Sequence, residues 1–152
     1  MGHDLGTTGA RAVMGEKSRM LAVDFCGLTF NTPLIDIEAR RPILGNRQGG
    51  LSGPAIKPIA LLKVHQVYEV CRPHGVPIIG QGGIASAADA IEFLLAGATA
   101  VGIGTALFYD PLICPTVNAG IVAYLEHHRI PSVSDLIGSL ELQSPVSAWC
   151  SG

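Results

Sequence analysis

The sequence is poor in charged and aromatic residues: 14% are Asp, Glu, Lys or Arg, and 5% are Phe, Trp or Tyr. Ten basic residues oppose twelve acidic ones, so the net charge of −2 provides no basic surface of the kind that binds nucleic acids. Hydrophobic residues make up 48% of the 152 residues, whereas disordered chains combine low hydrophobicity with high net charge. We therefore expect a globular domain with no nucleic-acid partner.

Long hydrophobic runs and paired cysteines are also missing. The longest apolar stretch, 93–108, is interrupted by three glycines and is shorter than the roughly 20 residues of a membrane helix. No two of the four cysteines form a C-x-x-C pair, so we predict no metal site and interpret them as buried, reduced thiols. The N-terminal residues lack the apolar core of a signal peptide. These features predict a cytoplasmic protein without a membrane segment.

The N-terminal third has a different character from the rest. Residues 1–19 show no periodicity, and we interpret them as a flexible leader before a single domain at 20–152. An alternating pattern at 21–25, followed by LTF at 28–30, predicts a small β-hairpin. Residues 36–55 are polar and rich in Gly and Pro, which is typical of a loop.

From residue 57 onward, helix and strand patterns alternate. They predict a helix at 57–71, a buried strand at 76–80, a helix from a capping box at 86–89 to residue 95, a buried strand at 100–103 and a helix at 110–127. Residues 132–135 could begin one more short helix. Strands separated by a helix and short connections indicate a parallel sheet.

Glycines cluster where strands or loops lead into helices. They lie in GGLSGP at 49–54, in Gly82-Gly83 after the first strand, and in Gly104 beside Thr105 after the second. Glycine lets backbone N–H groups approach an anion, and a following helix start adds donors. A single Gly-Gly turn is more often plain turn chemistry. Two successive turns of this kind favour a phosphate site, but their spacing does not name the ligand.

Four segments together carry a resemblance to a known family: GGLSGPAIKP (49–58), PIIGQGGI (77–84), EFLLAGA (92–98) and VGIGTALFYDP (101–111). They resemble the C-terminal part of class 1 dihydroorotate dehydrogenases, above all the flavin subunit of the NAD-linked type. IEARRPILGNRQGG resembles the segment before the sixth helix of that family, and LAVDFCGLTFNTPLI (21–35) resembles its N-terminal hairpin and first strand. The resemblance implies an α/β fold: a partial TIM (β/α)8 barrel with parallel strands, flanking helices and a small N-terminal hairpin.

The resemblance also implies a cofactor, a reaction and partners. It places Gly82, Gly83, Gly104 and Thr105 on the phosphate of FMN and Gly53 close to the flavin. It implies oxidation of dihydroorotate to orotate in pyrimidine biosynthesis, with an FAD/iron–sulfur electron-transfer subunit as a candidate partner. Lys57 falls inside the IKP signature, and a surface or packing role for this lysine is equally consistent with the sequence.

The chain departs from the family pattern in one respect. Ile35 runs directly into Asp36, where the family has a long stretch that holds strands two to six and an Asn-x-Ser-Cys-Pro-Asn motif. The cysteine of that motif is the general base in this class, and no cysteine here lies in it. We therefore predict no catalytic residue and little or no activity of this chain alone. A non-catalytic FMN- or phosphate-binding half-barrel and a non-functional fragment stay open as alternatives. The unpaired strand edges of a partial barrel predict a homo-oligomer. An internally deleted or mispredicted gene product is the other, simpler explanation of the partial barrel.

Overall fold

A computed structural model of the chain describes residues 3–4, 11–14, 21–24, 31–32, 34–47 and 49–141. The strands are β1 (His3–Asp4), β2 (Arg11–Met14), β3 (Leu21–Asp24), β4 (Asn31–Thr32), β5 (Ile35–Asp36), β6 (Arg41–Pro42), β7 (Gly49–Gly50), β8 (Ile78–Gln81) and β9 (Ala100–Gly102). The α-helices are α1 (Lys57–Cys71), α2 (Ala87–Leu95), α3 (Ile113–His128) and α4 (Val133–Leu136). The α/β class with parallel strands and flanking helices is confirmed.

The main sheet has the strand order β1-β2-β3-β8-β9. Strands β3, β8 and β9 are parallel, with Ile79 opposite Ala100 and Leu21 opposite Ile78. Helix α2 connects β8 to β9, so the predicted strand–helix–strand unit is confirmed. Two small antiparallel pairs, β4 with β7 and β5 with β6, place short strands within and just before the region 36–55, which we predicted as a loop.

The N-terminal pairing differs from the predicted hairpin. Strand β3 does have an antiparallel neighbour, but this is β2. Residues 28–30, which we predicted as the second strand of the hairpin, lie outside the described residues. Strands β1 and β2 fall within 1–19, the segment interpreted as a leader, and the division of the chain at residue 20 stays a prediction.

Helix α2 begins and ends as its local sequence predicts. Ser86 has an extended backbone, and its hydroxyl accepts a hydrogen bond from the Asp89 N–H at 3.2 Å. This is the predicted capping box, and it satisfies a backbone donor that the helix itself leaves unpaired. After the helix, Gly97 has a φ of +111°, and a Cβ at this position would overlap the Tyr68 ring. Glycine therefore ends α2 for both conformational and packing reasons.

The helix α3 begins at Ile113, three residues after the predicted start at Asp110. The Asp110 carboxylate accepts a hydrogen bond from the Leu112 N–H at 2.9 Å, which closes a turn before the helix. At the C-terminal end of the described chain, Ser132 precedes the short helix α4, and its hydroxyl lies 2.9 Å from an Asp135 carboxylate oxygen. The predicted short helix at 132–135 is thus confirmed within one residue.

The core lies between the helices and one face of the sheet. Its fully buried side chains are Ile56, Val64, Ile78, Phe93, Val117 and Leu136. Gly80 of β8 faces this layer, because a Cβ there would lie 2.8 Å from the Phe93 ring and 2.9 Å from the Ala98 methyl group. Helices α1 and α2 therefore approach β8 closely on that face.

The prediction that both strands are buried is wrong for part of each strand. In β8, Ile78 and Gly80 are buried, but the alternate residues Ile79 and Gln81 are half-exposed. Ala100 of β9 is exposed. The helices cover only one face, and β9 pairs only with β8 among the described strands, so it forms the edge of the sheet. Within the described part of the chain, no helix is both long enough and apolar enough to cross a membrane.

We expect Phe93→Ala to lower the free energy of unfolding by about 3–5 kcal/mol, because it removes a fully buried ring and leaves a cavity against Gly80 and Ala98. The same substitution at Phe108, which is 89% exposed, is the matched control and should cost less than about 0.5 kcal/mol. Urea unfolding followed by far-UV circular dichroism measures both. Equal losses in the two variants would contradict the assignment of the core.

Candidate functional site

The carboxyl ends of β8 and β9 open into one small pocket of about 100 Å³. Its lining residues lie at these strand ends and in the turns that follow: Gln81, Gly82, Gly83, Ile84, Gly102, Ile103, Gly104 and Thr105. Because the two strands are parallel neighbours, their carboxyl ends lie at the same edge of the sheet. The structure therefore brings the two predicted glycine turns together in a single concavity.

Gly53, the remaining predicted site residue, lies beside the same pocket. A Cβ on Gly83 would lie 2.6 Å from the Gly53 carbonyl oxygen, and a Cβ on Gly53 would lie 4.0 Å from the Thr105 Cγ2. Gly53 is itself buried and precedes the 3₁₀ turn Pro54–Ile56 that leads into α1. All five predicted residues are thus neighbours, although Gly53 supports the wall of the pocket and does not line it.

Three of these glycines have backbone conformations that other residues rarely adopt. The φ angles are +81° at Gly53, +131° at Gly82 and +75° at Gly83. Gly104 is different, because its φ is −114° and a Cβ there would have no neighbour within 4 Å. The first three are needed for the backbone path, whereas Gly104 leaves open space next to the turn.

The size and polarity of the pocket limit what it can hold. Pockets that enclose a whole drug-sized ligand have volumes of roughly 300–1,000 Å³, so a volume of about 100 Å³ fits one small group. The eight described lining residues are uncharged and include the hydroxyl group of Thr105. A phosphate group meets no negative side chain among these residues, and backbone amides at glycines are its usual donors.

Sequence reasoning missed four of the lining residues, among them Gln81. Gln81 pairs with Gly102 in the sheet, and a Cβ on Gly102 would lie 2.7 Å from the Gln81 Cγ and Nε2 atoms. Glycine at 102 therefore leaves room for the Gln81 amide at the base of the pocket. The available signal was a single polar residue at the end of the apolar run PIIGQ, directly before the two glycines.

The structure also decides between the two roles considered for Lys57. Its ammonium group lies 2.6 Å from Asp89 Oδ1 and 3.0 Å from Glu92 Oε2, so it joins the first turn of α1 to α2. The Lys57 and Asp89 side chains are only 24% and 16% exposed. Lys57 does not line the pocket, and it packs beside it. The packing role is confirmed.

Lys57, Asp89 and Glu92 form an ion triad, and the contacts around it shift the pKa values of Lys57 and Asp89. Hydrogen bonds to Asp89 and then to Glu92 raise the pKa of Lys57. For Asp89, burial acts to raise the pKa, but the hydrogen bonds from Lys57, Ser86 and the Ala85 N–H together outweigh it, and the pKa falls below its usual range. Both groups are therefore held in their charged forms.

The described cysteines offer no reactive thiol at the pocket. Burial raises the pKa of Cys71, which disfavours its thiolate, and neither Cys71 nor Cys114 lines the pocket. Both are free thiols, and Cys71 is half-buried. Cys114 is exposed because the first turn of α3 turns it to solvent, so the expectation of burial is wrong there. Cys26 and Cys150 lie outside the described residues. Among the described residues, no three His, Cys, Asp or Glu side chains are grouped as metal ligands would be.

Comparisons with known proteins agree on one family. A family model described as dihydroorotate dehydrogenase matches residues 7–125. The dihydroorotate dehydrogenase B (NAD(+)) catalytic subunit of Geotalea daltonii is 56% identical over 108 residues, which cover 71% of this chain and 34% of that protein. The same subunit of Porphyromonas gingivalis is 52% identical over 136 residues, covering 88% and 42%. The chain thus spans about a third to two fifths of the length of these curated relatives.

Solved structures support the same relationship. A dihydroorotate dehydrogenase from Eimeria tenella, crystallised with ferulenol, matches with a TM-score of 0.58 and 30% identity, over 73% of this chain and 29% of that one. The ligand-free form of the Eimeria tenella protein matches with a TM-score of 0.59 and 31% identity. The match covers most of this chain but under a third of each solved chain. The prediction that the chain forms part of the family's barrel is therefore confirmed.

We expect Gly83→Ala to lower the free energy of unfolding by about 1–3 kcal/mol, because a Cβ would strain a positive φ and collide with the Gly53 carbonyl oxygen. Gly104→Ala is the matched control and should change it by less than about 1 kcal/mol, since the Cβ meets open space. Thermal unfolding of both variants gives the comparison. A harmless Gly83→Ala would contradict the close packing of the two loops.

The ion triad predicts a pH-dependent contribution to stability. The lowered pKa of Asp89 means that its contribution is present above 3.8 and is lost as the pH falls through the folded-state pKa. The raised pKa of Lys57 means that its contribution is present below 10.5 and is lost as the pH rises through the folded-state value.

We therefore expect Lys57→Met to cost on the order of 1 kcal/mol between about pH 6 and 9, and progressively less below about pH 4 and above about pH 11. Urea unfolding of both proteins across this range measures the difference. A cost that does not change with pH would show that the lysine stabilises the fold through its aliphatic stem alone.

Proposed function

The chain belongs to the dihydroorotate dehydrogenase family, and from this premise we propose that its pocket at the ends of β8 and β9 binds the phosphate group of FMN. Gly82, Gly83, Gly104 and Thr105 would surround the phosphate, and Gly53 would lie close to the flavin. The observation that carries the proposal is the convergence of both glycine turns on one uncharged concavity. Its volume of about 100 Å³ suits a phosphate group, and the rest of the nucleotide would extend outside it.

The proposed activity of the whole family enzyme is oxidation of dihydroorotate to orotate, in the pyrimidine biosynthesis of the cytoplasm. Bound FMN would supply the acceptor for the hydride that leaves the substrate. The residues described here would hold and orient that cofactor. The relatives are named as the catalytic subunits of dihydroorotate dehydrogenase B, which supports a further subunit as a partner. The family resemblance implies that this subunit would carry FAD and an iron–sulfur cluster for electron transfer.

A second candidate function is flavin binding without turnover. The sequence has no Asn-x-Ser-Cys-Pro-Asn segment, and neither described cysteine lines the pocket. A cofactor anchor without a base to take the substrate proton would bind FMN and leave dihydroorotate unchanged. We favour this function for the chain acting alone, with a non-functional fragment as the outcome if no flavin binds.

Assembly with a second copy of the chain is also part of the proposal. Strand β9 has β8 as its only partner among the described strands, and Ala100 is exposed at this edge. The unpaired backbone groups of an edge strand are a template for pairing with another chain. A homo-oligomer formed along β9 would satisfy them.

The test of the phosphate pocket is flavin binding by purified chain, measured by quenching of flavin fluorescence. We expect FMN to bind more tightly than riboflavin, which lacks the phosphate. Gly104→Asp should weaken FMN binding by more than about tenfold, because a carboxylate in the turn repels the phosphate at short range. Gly104→Asn, of the same size but neutral, is the matched control and should retain most of the affinity.

Two outcomes would contradict the proposal. Equal affinities for FMN and riboflavin would show that the pocket does not bind the phosphate group. Equal losses of FMN affinity in Gly104→Asp and Gly104→Asn would show that side-chain size, and not charge, weakens binding. A turnover assay with dihydroorotate and a dye acceptor separates the two candidate functions, since bound FMN without dye reduction supports a non-catalytic module.

A further inference from the structure

We propose that Lys57 is a positioning residue for the phosphate pocket: its ion pairs with Asp89 and Glu92 hold the turn at 82–85 in the shape that closes the pocket. Lys57 restrains the turn even when no ligand is bound. The expected consequence of this restraint for FMN affinity rests on the function proposed above.

The Asp89 carboxylate connects Lys57 to the turn directly. Its Oδ1 atom accepts a hydrogen bond from the Lys57 ammonium group at 2.6 Å. Its Oδ2 atom accepts hydrogen bonds from the Ala85 N–H at 3.0 Å and from the Ser86 hydroxyl at 2.8 Å. One carboxylate therefore joins the start of α1 to the backbone two residues after Gly83.

A second contact links the same two regions through the backbone. A Cβ on Gly83 would lie 3.0 Å from both the backbone nitrogen and the Cβ of Lys57, so the turn packs against the first residue of α1. Lys57 thus touches the turn with its main chain and restrains it with its charge. Movement of the turn away from α1 would break both contacts.

The charge of Lys57 is needed because the Asp89 side chain is only 16% exposed. A carboxylate with limited access to water is costly without a cation, and removing one partner of such a pair leaves the other uncompensated. Without Lys57, the Asp89 carboxylate would gain by turning to solvent, and the Ala85 N–H would lose its acceptor. Glu92 is 44% exposed and contributes a second, weaker restraint on the ammonium group.

Lys57 differs from a direct phosphate ligand in position and in partners. It is not among the residues that line the pocket, and two carboxylates already bind its ammonium group. A role in positioning therefore predicts that the charge matters for the shape of the turn even when no anion is present.

The first experiment measures amide hydrogen exchange in the ligand-free chain for Lys57→Met, Lys57→Arg and Lys63→Met. In Lys57→Met we expect exchange at residues 82–86 to be faster by about tenfold, with little change at residues 100–105, because only the first turn loses its restraint. Lys57→Arg retains the charge and should restore protection. Lys63→Met makes the same change on the same helix outside the triad and should leave residues 82–86 unchanged.

The second experiment compares FMN and riboflavin affinities for the same variants. We expect Lys57→Met to lower the FMN affinity by about fivefold and to leave riboflavin binding within about twofold, with recovery in Lys57→Arg. If the unaltered chain binds no FMN, the proposed function fails, and the exchange experiment alone still decides the positioning role.

Three results would overturn the positioning role. Faster exchange spread equally over both turns would indicate general destabilisation, and loss of FMN affinity with unchanged exchange would indicate a direct phosphate ligand. An equal effect of Lys63→Met would indicate a non-specific effect of charge.

Should Lys57→Met fail to fold, Glu92→Gln removes one ion pair and spares the Asp89–Ala85 hydrogen bond. Its exchange at 82–86 should rise about threefold, and no rise would count against the proposal.

Discussion

Parallel pairing of β8 with β9 is the constraint on which the rest of the structure depends. Because Ile79 lies opposite Ala100 and both strands run the same way, their carboxyl ends reach the same edge of the sheet. Each strand then enters a turn that contains glycine, and both turns border one pocket. Antiparallel pairing would have separated these turns by the length of the strands, and no shared concavity would form.

Packing on one face of the sheet sets how closely the surrounding loops approach that edge. Gly80 allows Phe93 and Ala98 to lie directly on β8. This contact holds α2 against the strand, and the N-terminus of α2 directly follows the turn at 82–85. The other face is only half-buried at Ile79 and Gln81. A sheet covered on one face, with an edge at β9 among the described strands, is the structure expected of part of a barrel, and the match to solved structures covers under a third of each solved chain.

Electrostatics connects the helices to the site without placing a charge in it. Lys57, Asp89 and Glu92 form a triad beside the pocket, while the eight described lining residues are uncharged. In the proposed function, this separation would leave backbone amides as the donors for an anion and the ion pairs as restraints on the backbone. In this arrangement the ion pairs are supporting contacts around the pocket, of the kind that binding sites in general require.

The sequence by itself determined the start of α2 and the turn chemistry at 82–83, because these depend on residues close together in the chain. Ser86 and Asp89 cap α2 across three positions, and the glycines at 82 and 83 adopt backbone angles that their own lack of a Cβ permits. Only the tertiary structure decided the role of Lys57, the place of Gln81 in the lining of the pocket and the pairing of β3 with β2 and β8. Each of these joins residues distant in sequence, and no local pattern records which distant partner a side chain or strand will meet.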